Sequence, residues 1–145
     1  MSEIAPETII DFILNDLGEV DHAETNGDHF FMFRPAVMPE VDRRMPLATI
    51  VSGDRYDEAS DLEREGVYRL NIGLSKETFR DLFGDGTGEV DHAAPDTLMP
   101  HPVYANMYWV CVLNPSEATW ERVKPLLEEA YDVSAGRFRR MHKEA

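Results

Sequence analysis

With 145 residues, 43% apolar and 29% charged, the chain has the make-up of one ordinary globular domain spanning residues 1–145. Twenty-eight acidic against fourteen basic side chains leave a formal charge of −14, and such a field repels phosphate backbones and anionic lipid, which disfavours nucleic acid and membranes as partners. No apolar run approaches the roughly eighteen residues of a membrane span, and MSEIAPETII is not a basic-then-apolar signal sequence, so a cytoplasmic location is expected.

Pro6 near its start and Gly18 after its end bracket a predicted first helix over residues 6–17, with Ile9, Ile13, Leu14 and Leu17 on its buried side. Asn26-Gly27 then joins two strand-like runs, 19–25 and 28–34, because both residues tolerate the positive φ of a type I′ turn. A two-residue loop puts Val20, His22, Glu24, His29, Phe31 and Phe33 on one face. The connector PAVMPEVDRRMP leads to a strand at 47–52, ended by Gly53-Asp54. Residues 54–65 carry no sustained apolar stripe and read as a surface loop. A strand follows at 67–73, with Tyr68, Leu70 and Ile72 on one side and Arg69 and Asn71 on the other.

Ser75 caps a short helix that runs to Phe83, with Phe79, Leu82 and Phe83 inward and Gly84 as its stop. The stretch 85–106 is a long Gly-, Asp- and Pro-rich connector, a length uncommon inside a compact domain and often functional. The run 107–113 is apolar on both faces, Met107, Trp109, Cys111 and Leu113 against Tyr108, Val110 and Val112, as in a central strand covered on both sides. Asn114-Pro115 ends it and Ser116 caps a last helix. Trp120, Val123, Leu127, Ala130, Tyr131, Ser134 and Phe138 mark its buried stripe, and a kink is expected at Pro125. The order predicts an α+β fold, a mostly antiparallel sheet of about five strands with helices on one face.

The lone Cys111 excludes an internal disulfide and sits where a cysteine is a small buried hydrophobe, not an exposed nucleophile. His22, Glu24 and His29 share a face, the minimum for a metal, but Val20, Phe31 and Phe33 share it too and no HExxH or CxxC spacing supports an ion there; no metal and no cofactor is expected. The hexapeptide GEVDHA occurs at 18–23 and 88–93 without matching flanks, so it is not a structural repeat. Nucleophile-elbow and phosphate-loop signatures are missing. What remains is a polar and aromatic set on two unusual loops: Asp54, Tyr56, Asp57 and Ser60 on one, His101, Tyr104 and Asn106 on the other. The loops abut the ends of neighbouring strands and are placed to meet around Arg69 and Asn71, which is how small-ligand sites are built. The same residue types more often serve to fix turns through local side-chain hydrogen bonds, with His101-Pro102 stiffening a loop.

The strings DRR at 42–44, PLATIVS at 46–52, GDRYD at 53–57, VYRLNIG at 67–73, MPHPVYA at 99–105 and WVCVLNPS at 109–116 resemble a bacterial family known only as a domain of unknown function. More distantly, the strand, helix, loop, strand and helix from 67 to 138, with Trp109 and Tyr131, are similar to the MmcQ/YjbR-like proteins. That likeness implies a YjbR- or frataxin-like fold and a DNA-binding role, which would fall to Arg43, Arg44 and the GRFRRMHK stretch at 136–143; the acidity and the long connector depart from it. The reading favoured is a non-catalytic module binding a protein or small molecule, homodimerisation being allowed. An enzyme using His101 beside Asp54 or Asp57 is the other alternative.

Overall fold

A computed structural model describes residues 3–142. Helix α1 (Pro6–Asp16) leads into a six-stranded sheet made of β1 (Val20–Thr25), β2 (Asp28–Phe33), β3 (Ala48–Val51), β4 (Arg69–Gly73), β5 (Met99–Pro100) and β6 (Trp109–Leu113); α2 (Lys76–Phe83) follows β4 and α3 (Glu117–His142) closes the chain. The sheet order is β1-β2-β3-β4-β6-β5 and every neighbouring pair is antiparallel, as expected for an α+β fold. The sixth strand is the two-residue β5, buried in a connector that had no strand signal.

The β1–β2 hairpin turns on Asn26 at φ 55° and Gly27 at φ 83°, the left-handed pair that a type I′ turn needs. Its register, Val20 opposite Phe33 and His22 opposite Phe31, puts the expected six residues on one face. That face continues through Ala48 and Ile50, Leu70 and Ile72, Val110 and Val112, and all three helices lie against it. Ile9 and Ile13, Phe79, and Trp120, Val123, Leu127 and Ala130 complete the main core. Ser116 Oγ accepts the Thr119 N–H at 3.3 Å as the cap of α3. This helix runs unbroken through Pro125, which sits on its solvent side with Glu121, so the carbonyl deprived of its partner can be hydrated.

Four expectations need correction. The last strand starts at Trp109, not at 107: Tyr108 takes φ 70° and closes a 3-10 turn (Ala105–Met107), which turns Met107 out to 49% exposure. That strand is next to the sheet's edge, not at its centre, with β5 and its loop covering the flank. The segment 54–65 is not all surface, since Ser60 and Leu62 are buried; Leu62 joins Val51, Met99, Cys111 and Leu113 in a second apolar cluster on the sheet's other face. Leu82 is 38% exposed because only Phe79 and Phe83 of α2 reach the core.

Candidate functional site

The face of the sheet away from the helices is only partly covered. Alternation along the strands sends Phe30, Thr49, Val51, Arg69, Asn71 and Trp109 to that side, and the loops 52–67 and 101–108 wall it in. The result is a cavity of about 240 Å³, small for a small-molecule site, which more often has roughly 300–1,000 Å³. Phe30, Tyr56, Tyr104 and Trp109 supply aromatic walls, Met45, Pro46 and Met107 part of the rim, and Thr49, Asp57, Arg69, Asn71 and His101 the polar groups.

Arg69 organises the floor at 2% exposure. Its Nη1 and Nη2 donate to Asp57 Oδ1 and Oδ2 at 3.0 and 2.8 Å, Nη1 also donates to Ser60 Oγ at 2.9 Å, and Nε donates to Asn71 Oδ1 at 2.9 Å. Asn71 Nδ2 in turn donates to Thr49 Oγ1 at 2.9 Å. A charge buried this deeply is tolerated because it is paired and its hydrogen bonds are satisfied. The fork of hydrogen bonds from Arg69 holds the Asp57 carboxyl below the usual carboxylate range, against the opposing effect of burial. The pair leaves the floor formally neutral.

His101, 5% exposed, sets the loop beside it. Its Nδ1 accepts the backbone N–H groups of Val103 and Tyr104, both at 3.0 Å, so the ring proton resides on Nε2. Every fully buried side-chain nitrogen and oxygen among the described residues has a hydrogen-bond partner, and Nε2 has none, so it is reached from the cavity that His101 lines. Burial, helped by the nearby Arg69 charge, lowers the imidazole pKa to about 4 although Asp57 pulls the other way. At neutral pH this histidine offers a hydrogen-bond donor and not a base, which argues against a general-base role. Asp57 is committed to Arg69, and Asp54 Oδ1 accepts the Leu62 N–H at 2.9 Å to shape its own loop.

Of the nine residues singled out from sequence, Tyr56, Asp57, Arg69, Asn71, His101 and Tyr104 line the cavity together. Asp54 and Ser60 stand behind it as loop and floor supports, and Asn106 faces solvent on the 3-10 turn. Trp109, expected wholly within the core, is only partly buried and forms a wall. Gly73 makes this placement possible: a Cβ there would lie 2.9 Å from the indole. Thr49 and Phe30 were missed. The lone hydroxyl in the apolar run ATIV pointed to Thr49, and the alternation opposite Phe31 pointed to Phe30.

Other candidates resolve into structure. His22 Nε2 and His29 Nδ1 are hydrogen-bonded to each other at 2.9 Å, and the His22 ring stacks on Phe31 at 4.8 Å. Burial first, then the neighbouring His29, lowers the His22 pKa. Burial pushes the Cys111 thiol up to about 12, which keeps it an inert hydrophobe. Among the described residues no helix is long and apolar enough to cross a membrane.

These features define a small α+β domain with a helix-backed antiparallel sheet and an aromatic, donor-lined cavity on the sheet's other face. The chain belongs to a family of unknown function (DUF6194), which it matches over residues 3–143, in line with the strings noted above. That match carries no link to the MmcQ/YjbR-like proteins. No curated protein and no solved structure matches the chain.

Proposed function

We propose that this domain is a non-catalytic binding module whose ligand is a small molecule held in the cavity over Arg69 and Asn71. The observation that carries the reading is convergence: four aromatic rings from β2, β6 and two loops surround hydrogen-bonding groups whose positions are fixed by buried partners. Preformed polar groups inside an apolar enclosure bind with little reorganisation, which distinguishes such a site from a turn-fixing network that has no space beside it. Polymeric nucleic acid fits less well, because the −14 field opposes it over most of the surface.

A thermal-shift screen of metabolites tests the reading. A ligand at a hundred times its Kd adds about 2.7 kcal/mol of stability. Tyr56 and Tyr104 are 56% and 50% exposed, so Tyr56→Ala and Tyr104→Ala should leave the free protein's unfolding temperature almost unchanged while removing the ligand-induced shift. A shift that survives both substitutions, or an exhaustive screen without one, would refute the cavity as the binding site.

A further inference from the structure

A second observation on the same rim narrows the ligand. Arg44 donates to Asp21 Oδ2 at 2.7 Å, Asp42 Oδ2 at 2.9 Å and the Phe33 carbonyl at 2.9 Å, which pins the connector 42–45 across the β1–β2 hairpin. The last turns of α3 are pinned to the same place, Phe138 against Phe33 at 5.7 Å between centroids and Arg139 over the Phe33 ring at 5.6 Å. Two basic segments almost a hundred residues apart therefore form one groove that includes Arg43, Arg137, Ser134 and His142.

This groove adjoins the aromatic cavity through shared lining residues. Met45 lines both, and a narrow cleft that shares Pro46, Met107 and Trp109 with the cavity shares Ser134 and Arg137 with the groove. Its charge is also out of character for the chain. Acidic residues outnumber basic ones two to one, yet Arg43, Arg137, Arg139 and Arg140 are in no ion pair among the described residues. Such an island of positive potential concentrates small anions that the rest of the surface repels.

Resting on the binding reading above, we infer that the ligand is a planar aromatic compound with an anionic tail, its ring between Trp109, Tyr104 and Tyr56 and its phosphate or carboxylate at Arg43 and Arg137. The neutral floor suits an uncharged ring with acceptor atoms: His101 Nε2–H, the second Asn71 Nδ2 hydrogen and one Nη2 hydrogen of Arg69 have no protein partner among the described residues. The arginines suit the tail through charge-assisted hydrogen bonds to its oxygens. Nucleoside monophosphates, aryl phosphates and aryl carboxylates share this chemistry.

Calorimetric titration at low salt with adenosine monophosphate and guanosine monophosphate, their nucleosides, phenyl phosphate and indole-3-acetate tests the assignment and separates the sources. At least one tailed compound should bind about tenfold tighter than its uncharged counterpart, the gap shrinking with added salt. Arg43→Ala combined with Arg137→Ala should erase the gap and leave the uncharged compound's affinity as it was. Arg80→Ala with Arg122→Ala, an equal charge change at exposed sites outside the groove, should preserve it. Equal binding of tailed and untailed compounds, or a gap that survives loss of Arg43 and Arg137, overturns the assignment while the cavity reading stands. Failure of every aromatic compound, tailed or not, overturns both.

Discussion

Replacing His101 with asparagine should flatten the acid limb of the stability curve between pH 6.5 and about 4. In the folded chain, burial and the Arg69 charge depress this imidazole's pKa from 6.5 to about 4, and in the unfolded chain it returns to the ordinary value. Above pH 6.5 neither state takes up a proton at this ring. Between 6.5 and 4 only the unfolded chain does, so stability falls with falling pH at about 1.4 kcal/mol per unit, then levels off below the folded pKa. The contribution totals about 3 kcal/mol, a large part of the roughly 5–15 kcal/mol that holds a domain of this size. Asparagine is the right perturbation, because its Oδ1 can still accept the Val103 and Tyr104 N–H groups while it cannot titrate. Arg69, Asp57 and His92 face the ring electrostatically; the lowered His22 pKa is common to both proteins and cancels in the comparison, while loss of His101 removes only the smallest of the causes that lower the Asp57 pKa. Urea unfolding followed by tryptophan fluorescence at half-unit steps from pH 7 to 4 supplies the two curves. Parallel curves would refute the assignment of a buried, neutral His101.

Three further substitutions probe the frame, two beside the cavity and one in the helix behind the sheet. Asp57→Asn strands the Arg69 guanidinium at 2% exposure and should cost about 3–5 kcal/mol in denaturant unfolding; a loss below about 1 kcal/mol would mean that the pair is not the buried anchor described. Gly73→Ala brings a methyl to within 2.9 Å of the Trp109 ring, so it should cost about 1–3 kcal/mol, shift the indole emission and weaken ligand binding together, whereas unchanged emission would place the indole elsewhere. Pro125→Ala restores an N–H for the Glu121 carbonyl in an uninterrupted helix and should raise stability by up to about 3 kcal/mol; a loss would show that the proline shapes the helix's seat on the sheet.

Local rules read most of this fold because they act locally. Asn26-Gly27 dictates its own turn, Ser75 and Ser116 their own helix starts, and two-residue alternation the face of each strand. The convergence of loops on Arg69 and Asn71 was also legible, since an arginine and an asparagine on one side of an otherwise apolar strand require polar partners, and Asp57 and Ser60 lay on the nearest polar loop. What escaped depends on tertiary context. Apolar residues 107–113 look like one strand, but a left-handed Tyr108 breaks the run, and only the pairing of Met99 with Cys111 and of Pro100 with Val110 reveals β5. Trp109 reads as core by composition; it becomes a cavity wall because Gly73 opposite it leaves room for the ring to lie over the backbone. The meeting of Arg43 with Arg137 had no signal within either segment, for it follows from Phe33 anchoring the end of α3 beside the hairpin.

The chain's two tryptophans give the central claim a direct readout, Trp109 in the cavity wall and Trp120 at 4% exposure in the helix-side core. Titrating the ¹⁵N-labelled protein with a binding aromatic compound should move the Trp109 indole N–H resonance progressively and leave that of Trp120 in place. Movement of Trp120 alone, or of neither indole under saturating ligand, would put recognition somewhere other than the cavity above Arg69.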